Sequence, residues 1–297
     1  MRPSPALMCA LALSLGIALS AAAGDPPPAL AVADAPPTFR LVSYNIRYDN
    51  PADDPPWPVR APHLAAQTAF LDADVIGLQE ALPPMVATLA AAWGGHDHYG
   101  VGRDDGAGAG ETTTIFWRRD RFEVLARETA WCSPTPDRPS PGWDAALPRT
   151  VTRVVLRDRR SRTVLDVRNA HFDHVGVEAR ARCAAWIAAQ PAAVVDGRPA
   201  LRIVMGDLNT GPDSDPYRTL IAAGLSDARQ AAPVRFGPEG TFNGFDATRG
   251  PGLAPIDHIF TGPGLQPIRS AVLTDTIGGK VISDHYPVVV DVAADGA

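Results

Sequence analysis

The sequence predicts an α/β chain in which two β-sheets pack against each other and helices flank them. Short apolar runs rich in Val, Ile and Leu recur between clusters of Gly, Pro and Asp, which is typical of strands. Few helical stretches separate these runs, so strands should outnumber helices. The chain has 297 residues, 45% hydrophobic and 20% charged, which is enough for one large globular domain.

These patterns place the elements in chain order. The predicted strands are residues 39–46, 73–80, 112–118, 151–158, 163–172, 201–208, 256–261 and 286–292. The predicted helices are residues 62–71, 84–93, 178–189 and 216–223, and the third carries apolar residues at helical spacing. Residues 131–148 and 228–255 are rich in Pro and Gly and are predicted to be long loops, which are often functional.

The N-terminus has the pattern of an export signal. Arg2 gives a positive start, residues 6–19 are apolar but too few to span a bilayer, and residues 20–24 are small, as in a cleavage zone. We therefore predict a signal peptide at 1–24, a Pro- and Ala-rich linker at 25–37 and one domain at 38–294. The expected location is periplasmic or secreted, with no transmembrane segment in the mature chain.

Removal of the signal peptide would leave two cysteines, Cys132 and Cys183. An oxidising compartment would permit a disulfide between them. Cys183 lies on the apolar face of the third predicted helix, where a buried free thiol is the commoner state.

Polar side chains collect at the ends of the predicted strands. They are Asn45, Glu80, Asn169, His171, Asp207, Asn209, Asp257, Asp284 and His285. If these strand ends meet at one rim of the sheets, they form a pocket of oxygen and imidazole donors. Such donors suit Mg²⁺ or Mn²⁺, and no Cys or His spacing resembles a zinc site. Two histidines with several carboxylates suit metal-assisted hydrolysis of a phosphate ester.

Several stretches resemble motifs of the endonuclease/exonuclease/phosphatase superfamily, which comprises deoxyribonuclease-like, metal-dependent hydrolases. They are LVSYNIR, GLQE, NAHFDH, MGDLN, IDHIF and SDHYP, and the similarity extends from about Phe39 to Val292. The longer stretches GVGRDDG, WCSPTPDRPSPGWDAALPR, HFDHVGVEARAR and GTFNGF resemble a bacterial subgroup whose members are exported or intracellular, and the signal-like N-terminus favours the exported members. The resemblance implies a four-layer αββα sandwich of two mixed β-sheets flanked by helices, with Mg²⁺ or Mn²⁺ as cofactor.

The resemblance assigns metal binding to residues at three of these strand ends. Glu80 in GLQE would be the main ligand, and Asp284 in SDH would help bind the metal. Asn45 in SYN would hold the metal site or a phosphate oxygen.

The resemblance assigns catalysis to five further residues. His171 would stabilise the transition state or protonate the leaving group. Asp207 would orient or deprotonate the attacking water, and Asn209 would bind a phosphate oxygen. Asp257 would orient His285, which would be the base or a phosphate contact.

Substrate contacts are predicted from residues near the motifs and in the long loops. Five polar residues lie near the motifs in sequence and could contact a phosphate or the leaving group: Arg47, Arg103, His174, Glu111 and Lys280. The alternative for each is an ordinary charged residue on the protein surface. Trp143 and Phe245 would wall a substrate pocket, as aromatic rings do for sugars or bases, or else pack within their own loops.

We therefore predict a secreted, divalent-metal-dependent phosphoesterase that hydrolyses a phosphodiester or phosphomonoester by metal-assisted water attack with an Asp–His pair. The alternative is a secreted, deoxyribonuclease-like endonuclease, but the net charge of -6 and the single lysine weigh against binding to nucleic acid. The lack of an amphipathic membrane-binding stretch weighs against a lipid phosphodiesterase. A non-catalytic binding module should lack some catalytic positions, and none is missing. The expected partner is a phosphorylated substrate, with nucleic acid as the alternative, and the expected state is a monomer.

Overall fold

The computed structural model describes residues 36–249 and 252–295. The predicted signal peptide at 1–24 lies outside the described residues, and so does the predicted linker apart from Pro36 and Pro37. None of the helices in the described part of the chain is long and apolar enough to cross a membrane.

Strands dominate the described residues. They are β1 (Thr38–Asn45), β2 (Val75–Gln79), β3 (His96–Tyr99), β4 (Ile115–Arg118), β5 (Phe122–Trp131), β6 (Thr150–Asp158), β7 (Val164–His171), β8 (Val194–Val195), β9 (Arg198–Pro199), β10 (Leu201–Asp207), β11 (Ser226–Asp227), β12 (Val234–Phe236), β13 (Asp257–Thr261), β14 (Leu265–Val272), β15 (Thr276–Ile277), β16 (Lys280–Val281) and β17 (Val288–Ala294). The helices are α1 (Trp57–Leu71), α2 (Pro83–Ala92), α3 (Val177–Ala189), α4 (Asp215–Ala222) and α5 (Ala228–Ala231).

Two large sheets organise these strands. The first has seven strands in the order β12-β14-β17-β1-β2-β4-β3, and the second has six in the order β11-β13-β10-β7-β6-β5. Both are mixed: β1 pairs parallel with β2 and antiparallel with β17, while β7 pairs parallel with β10 and antiparallel with β6.

The core consists of three apolar layers. Leu41 of β1 belongs to the layer between the sheets, whereas Val42 belongs to the layer that α1 and α2 cover. Val204 of β10 packs in the third layer, which α3 and α4 cover. Because successive strand residues point to opposite faces, strands buried on both faces become the continuous apolar runs seen in the sequence. The predicted four-layer αββα sandwich is confirmed.

Some predicted boundaries are wrong, for identifiable reasons. Strand β5 was not predicted because it is an edge strand, and its exposed face carries charged residues instead of an apolar run. Helix α1 begins at Trp57, five residues before the predicted start at residue 62, because Pro62 lies inside the helix and does not open it. The predicted loop at 228–255 contains the short elements α5 and β12.

The two remaining cysteines form a disulfide. Cys132 and Cys183 are bonded, with their Cα atoms 5.1 Å apart, within the roughly 4.4–6.8 Å that disulfides span. The bond ties the start of the 131–148 loop to helix α3, and both cysteines are buried. The expectation that Cys183 is more often a buried free thiol is therefore wrong for this protein.

Candidate active site

The topology brings the polar strand ends together. Strands β1 and β2 run parallel, so Asn45 lies beside Gln79 at their carboxyl ends, next to Glu80. Strands β7 and β10 are also parallel, and Asp207 pairs in register with His171. Strand β13 runs antiparallel to β10 and places Asp257 opposite Asp207. The predicted side chains therefore meet at one rim of the sandwich.

A cavity of about 390 Å³ opens at this rim. Its lining consists mostly of charged and imidazole side chains, with Tyr48, Leu147 and Phe242 supplying the less polar part of the wall. The lining residues are Arg47, Tyr48, Glu80, Glu111, Leu147, Arg149, His171, His174, Asp207, Asn209, Phe242, Asp284 and His285.

One buried feature of the site is a histidine held by a carboxylate. His285 Nδ1 lies 2.8 Å from Asp257 Oδ2, and His285 Nε2 lies 3.7 Å from Asp207 Oδ2. Burial alone would lower the pKa of His285, but the negative charges of Asp257 and Asp207 outweigh it and raise that pKa well above its usual value. Burial, followed by the charge of Asp257, raises the pKa of Asp207 to about 7. His285 thus lies between two carboxyl groups whose negative charge favours its protonated form.

Asn45 connects the two sheets inside the site. Its Nδ2 donates to Glu80 Oε1 at 3.0 Å and to Asp207 Oδ2 at 2.9 Å, while its Oδ1 accepts from the backbone N–H of Arg47 at 3.0 Å. Glu80 Oε2 also accepts from the backbone N–H of Tyr48 at 3.2 Å. The amide of Asn45 therefore fixes the spacing between the two carboxylates.

Three of these residues adopt a left-handed backbone just past a strand end. Their φ angles are 54° for Arg47, 61° for Glu80 and 48° for Asn209. Non-glycine residues rarely adopt this conformation, and such strain clusters at functional sites. Asn209 is held by two bonds: its backbone N–H donates to Asp207 Oδ1 at 2.8 Å, and its Nδ2 donates to the carbonyl of Phe172 at 2.9 Å.

The opposite wall of the cavity is basic and centres on Arg149. Its Nη1 lies 3.0 and 3.1 Å from the two ring nitrogens of His171, and its Nη2 donates to His174 Nδ1 at 3.0 Å. Its Nε donates to Asp173 Oδ2 at 3.3 Å. Burial, and after it the charge of Arg149, lower the pKa of His171 well below its usual value.

Sequence reasoning missed Arg149. It is the last residue of the stretch WCSPTPDRPSPGWDAALPR, directly before β6. Its position next to a strand was the available signal, but it precedes its strand instead of following it. Phe242 was also missed, although GTFNGF was singled out; its ring meets the ring of His285 edge-on at a centroid distance of 5.0 Å.

Other predicted residues take varied positions. Arg47 lines the cavity and pairs with Asp53 at 2.9 Å, while its Nη1 lies 3.7 Å from Asp284 Oδ2. Glu111 lines the cavity and bonds at 2.6 Å to Arg103, which is not among the lining residues. Burial and the charge of Glu80 raise the pKa of Glu111.

Two aromatic residues and one lysine also lie outside the cavity lining. Trp143 is 38% exposed, and Phe245 packs against the core between the sheets, with Arg60 over its ring. Lys280 pairs with Asp54 on the surface. Contact of Trp143, Phe245 and Arg103 with substrate stays a prediction.

A comparison with family models bears directly on this site. Residues 42–285 match the model of the Endonuclease/Exonuclease/phosphatase family, a span that includes the residues of the rim described above. The chain belongs to this family.

Solved structures of family members are similar over nearly their whole lengths. An endonuclease/exonuclease/phosphatase family protein from Bacteroides thetaiotaomicron is 33% identical, with a TM-score of 0.84 over 88% of this chain and 96% of that one. A mannosyl-6-phosphatase from Bacteroides thetaiotaomicron is 33% identical, with a TM-score of 0.81 over 86% and 99%. A Bacteroides vulgatus family protein is 31% identical, with a TM-score of 0.79 over 87% and 100%. Among curated proteins, no match is found.

The donor chemistry of this family member fits a divalent cation. Asp207, Asp257 and His285 offer ligand atoms that all lie within 4.8 Å of one another. The predicted ligands Glu80 and Asp284 line the same cavity, and their carboxylates repel: burial, and with it the charge of Glu80, raise the pKa of Asp284. Carboxylate oxygens are the ligands that hard cations prefer. Because Asp257 already bonds to His285 Nδ1, the carboxylates of Glu80 and Asp284 are the better candidates for cation ligands. Each Glu80 oxygen accepts one N–H and keeps a second lone pair for a cation.

Proposed function

We propose that this protein is a phosphatase that depends on Mg²⁺ or Mn²⁺ and hydrolyses a phosphate monoester of a small hydroxylated molecule such as a sugar. The observation that carries the proposal is the single rim where the Asp257–His285 pair, Asp207 and Glu80 face the basic wall around Arg149. The cavity of about 390 Å³ is of a size that suits a small molecule. Similarity to a mannosyl-6-phosphatase supports a sugar phosphate.

Glu80 and Asp284 would hold the cation, and Asn45 would keep Glu80 in position. When bound there, a cation would neutralise charge on the phosphate oxygens and polarise the phosphorus centre. Asp207 is the proposed general base, because its raised pKa matches the value that removes a proton from water near neutral pH. His285, kept cationic by Asp257, donates a hydrogen bond to the developing charge on the phosphoryl oxygens.

The leaving oxygen needs a proton that Asp207 does not supply. His171 stands 3.5 Å from Asp207 Oδ2 and beside Arg149, so it faces the same reacting centre from the basic side. Because its lowered pKa keeps His171 neutral, we assign it to stabilising the leaving oxygen through a hydrogen bond, and the cationic His285 supplies the proton. Asn209 would contact a phosphate oxygen.

We further propose that the protein is exported and acts as a monomer. The signal-like N-terminus supports export. A net charge of -6 favours a small phosphorylated substrate over nucleic acid, because duplex binding by non-specific contacts requires a basic face.

A substrate panel tests the proposal. The purified protein would receive hexose 6-phosphates, p-nitrophenyl phosphate, bis(p-nitrophenyl) phosphate and supercoiled plasmid, each with Mg²⁺, Mn²⁺ or excess chelator. We expect phosphate release from monoesters with metal and its loss in chelator. Undiminished activity in chelator would exclude the metal mechanism. Rapid plasmid nicking without monoester hydrolysis would favour the endonuclease.

Variants at the rim test the site itself. Glu80→Ala and His285→Ala should each lower kcat/KM at least ~100-fold, since each removes a positioned metal ligand or hydrogen-bond donor. Glu123→Ala and His63→Ala, which lie outside the cavity, are matched controls and should keep wild-type rates. Near wild-type rates in both rim variants would show that the reaction occurs elsewhere.

A further inference from the structure

The arginines around the cavity differ in how their charge is compensated. Arg47 pairs with Asp53 at 2.9 Å and approaches Asp284, and Arg103 pairs with Glu111 at 2.6 Å. Arg149 contacts a carboxylate only through Nε, at 3.3 Å, and its two terminal nitrogens meet imidazole rings. An imidazole that accepts from a guanidinium is neutral and removes none of its charge.

The carboxylate of Asp173, which Arg149 contacts, also accepts several hydrogen bonds from backbone N–H groups. Asp173 Oδ1 accepts from the backbone N–H groups of Ala146, Val175 and Gly176 at 3.1, 3.0 and 2.7 Å. Its Oδ2 accepts from the N–H of Leu147 at 3.3 Å as well as from Arg149. The negative charge of Asp173 is therefore spread over the loop, which leaves the cavity side of Arg149 positive.

Arg149 is also fixed in place. Its residue surface is 4% exposed, yet the side chain lines the cavity. A guanidinium anchored through Nε presents its two terminal nitrogens as a rigid fork, the arrangement that recognises phosphate and carboxylate oxygens. His174, half-exposed beside it, adds a ring at the mouth of the cavity.

From this we infer that Arg149 and His174 form a subsite for the non-bridging oxygens of a terminal phosphate, and that this subsite selects monoesters over diesters. The inference rests on the proposed function and deepens it. A phosphate monoester near neutral pH carries two charges and three non-bridging oxygens. With some of these oxygens directed to the carboxylate side and its cation, an oxygen remains for the guanidinium fork.

A diester lacks that oxygen. It carries one charge, and its second ester group would bring an uncharged oxygen and a bulky substituent against Arg149 and His174. The guanidinium would then lose solvent without gaining an anionic partner, which is unfavourable for a buried charge. The preference for monoesters therefore has two sources: the monoester gains an ionic contact with Arg149, and the diester loses binding free energy by burying this charge without an anionic partner.

The test compares the two ester types in one assay. Kinetics with p-nitrophenyl phosphate and bis(p-nitrophenyl) phosphate give the monoester-to-diester ratio of kcat/KM, and inorganic phosphate is measured as an inhibitor. Wild type should prefer the monoester. Arg149→Gln should lower kcat/KM for the monoester about 100-fold, as expected for removing a preorganised charged donor, and lower the diester rate less. The ratio should fall at least tenfold, and inhibition by inorganic phosphate should weaken in parallel.

Two further variants distinguish loss of the subsite from misfolding of Arg149→Gln. His174→Ala changes a half-exposed residue and should lower the ratio several-fold with an intact fold. Arg149→Lys keeps the charge but not the fork, and should recover part of the ratio that Arg149→Gln loses. The matched control is Arg157→Gln, on the same strand β6, where Arg157 pairs with the half-buried Glu123 and the exposed Asp196; its ratio should stay at the wild-type value.

The outcomes separate the two proposals. Wild-type hydrolysis with an unchanged ratio in both Arg149→Gln and His174→Ala would overturn the subsite alone. If wild type hydrolyses neither ester with any divalent cation, the proposed function fails. Calorimetry with inorganic phosphate then decides the subsite: binding that weakens in both variants supports it, and no binding in wild type overturns it.

Discussion

Asp173 should stabilise the fold through its negative charge, and replacing it with Asn tests this. The side chain is fully buried between the 146–149 segment and the turn that leads into α3. Burial alone would raise the pKa of Asp173, but the N–H groups of Gly176, Ala146 and Val175, together with the charge of Arg149, outweigh it and lower the pKa to about 2. Asp173→Asn removes the charge and turns an amide N–H₂ toward a group that also donates.

The pKa gives the size of the effect. A fall from the ordinary value of 3.8 to about 2 corresponds to at most about 2.4 kcal/mol of stability at neutral pH, at about 1.36 kcal/mol per pKa unit. Solvent screening around the loop reduces this to about 1–2 kcal/mol. Asp173→Asn should lower the free energy of unfolding by this amount at pH 6, measured by urea unfolding of both proteins.

The lowered pKa of Asp173 also determines how its contribution to stability depends on pH. Because the pKa of Asp173 is lower in the folded protein, its contribution is complete above the unfolded value near 3.8 and is lost as the pH falls through about 2. The stability gap between wild type and Asp173→Asn should stay constant from pH 7 to 5 and shrink to about half by pH 3. All other carboxylates titrate in both proteins, so they largely cancel in the difference. A gap that is the same at pH 6 and pH 3, or larger at pH 3, would refute the reasoning.

The remaining predictions concern the Asp–His pair and the disulfide. Asp257→Asn removes the charge that favours the protonated form of His285, so kcat/KM should fall about 10²–10⁴-fold. The pKa of His285 should also drop, which a pH–rate profile measures. A kcat/KM within fivefold of wild type would contradict this prediction. Cys183→Ser should lower the free energy of unfolding by about 2–4 kcal/mol, because the disulfide closes a loop with a sequence separation of 51 residues. Reduction of wild type should reproduce that loss in urea unfolding, and an unchanged midpoint would count against it.

The sequence predicted the acidic half of the site better than the basic half, and the topology explains the difference. Asn45 and Asp207 end apolar strands and Glu80 directly follows one, and these strands run in parallel pairs, so strand ends alone bring the three residues to one rim. Arg149 precedes its strand, and its place depends on contacts with Asp173 and His174, more than twenty residues further along the chain. No local pattern encodes such contacts, because they depend on how the 131–148 loop folds over the turn before α3.

The missed fold elements have a similar cause. Hydrophobic periodicity identifies strands buried on both faces, as in the centre of each sheet, but not β5 at an edge or the short pairs β8–β9 and β15–β16. Pro62 suggested a helix start because proline favours the first turn, yet α1 already has Pro58 near its beginning.

Two glycines in the motifs permit close approaches beside the site. Gly77 in GLQE lies where the two sheets approach: a Cβ there would stand 2.6 Å from Met205 Sδ and 2.9 Å from Asn169 Oδ1. Gly206 in MGDLN has φ 143°, and a Cβ there would stand 1.9 Å from the carbonyl oxygen of Ala170 on β7. A side chain at Gly206 would collide with the backbone of β7, and one at Gly77 would have to displace the side chains of Met205 and Asn169. Since Asn45 spans from the first sheet to Asp207 on the second at 2.9 Å, the glycines are what allow the acids of both sheets to share one cavity.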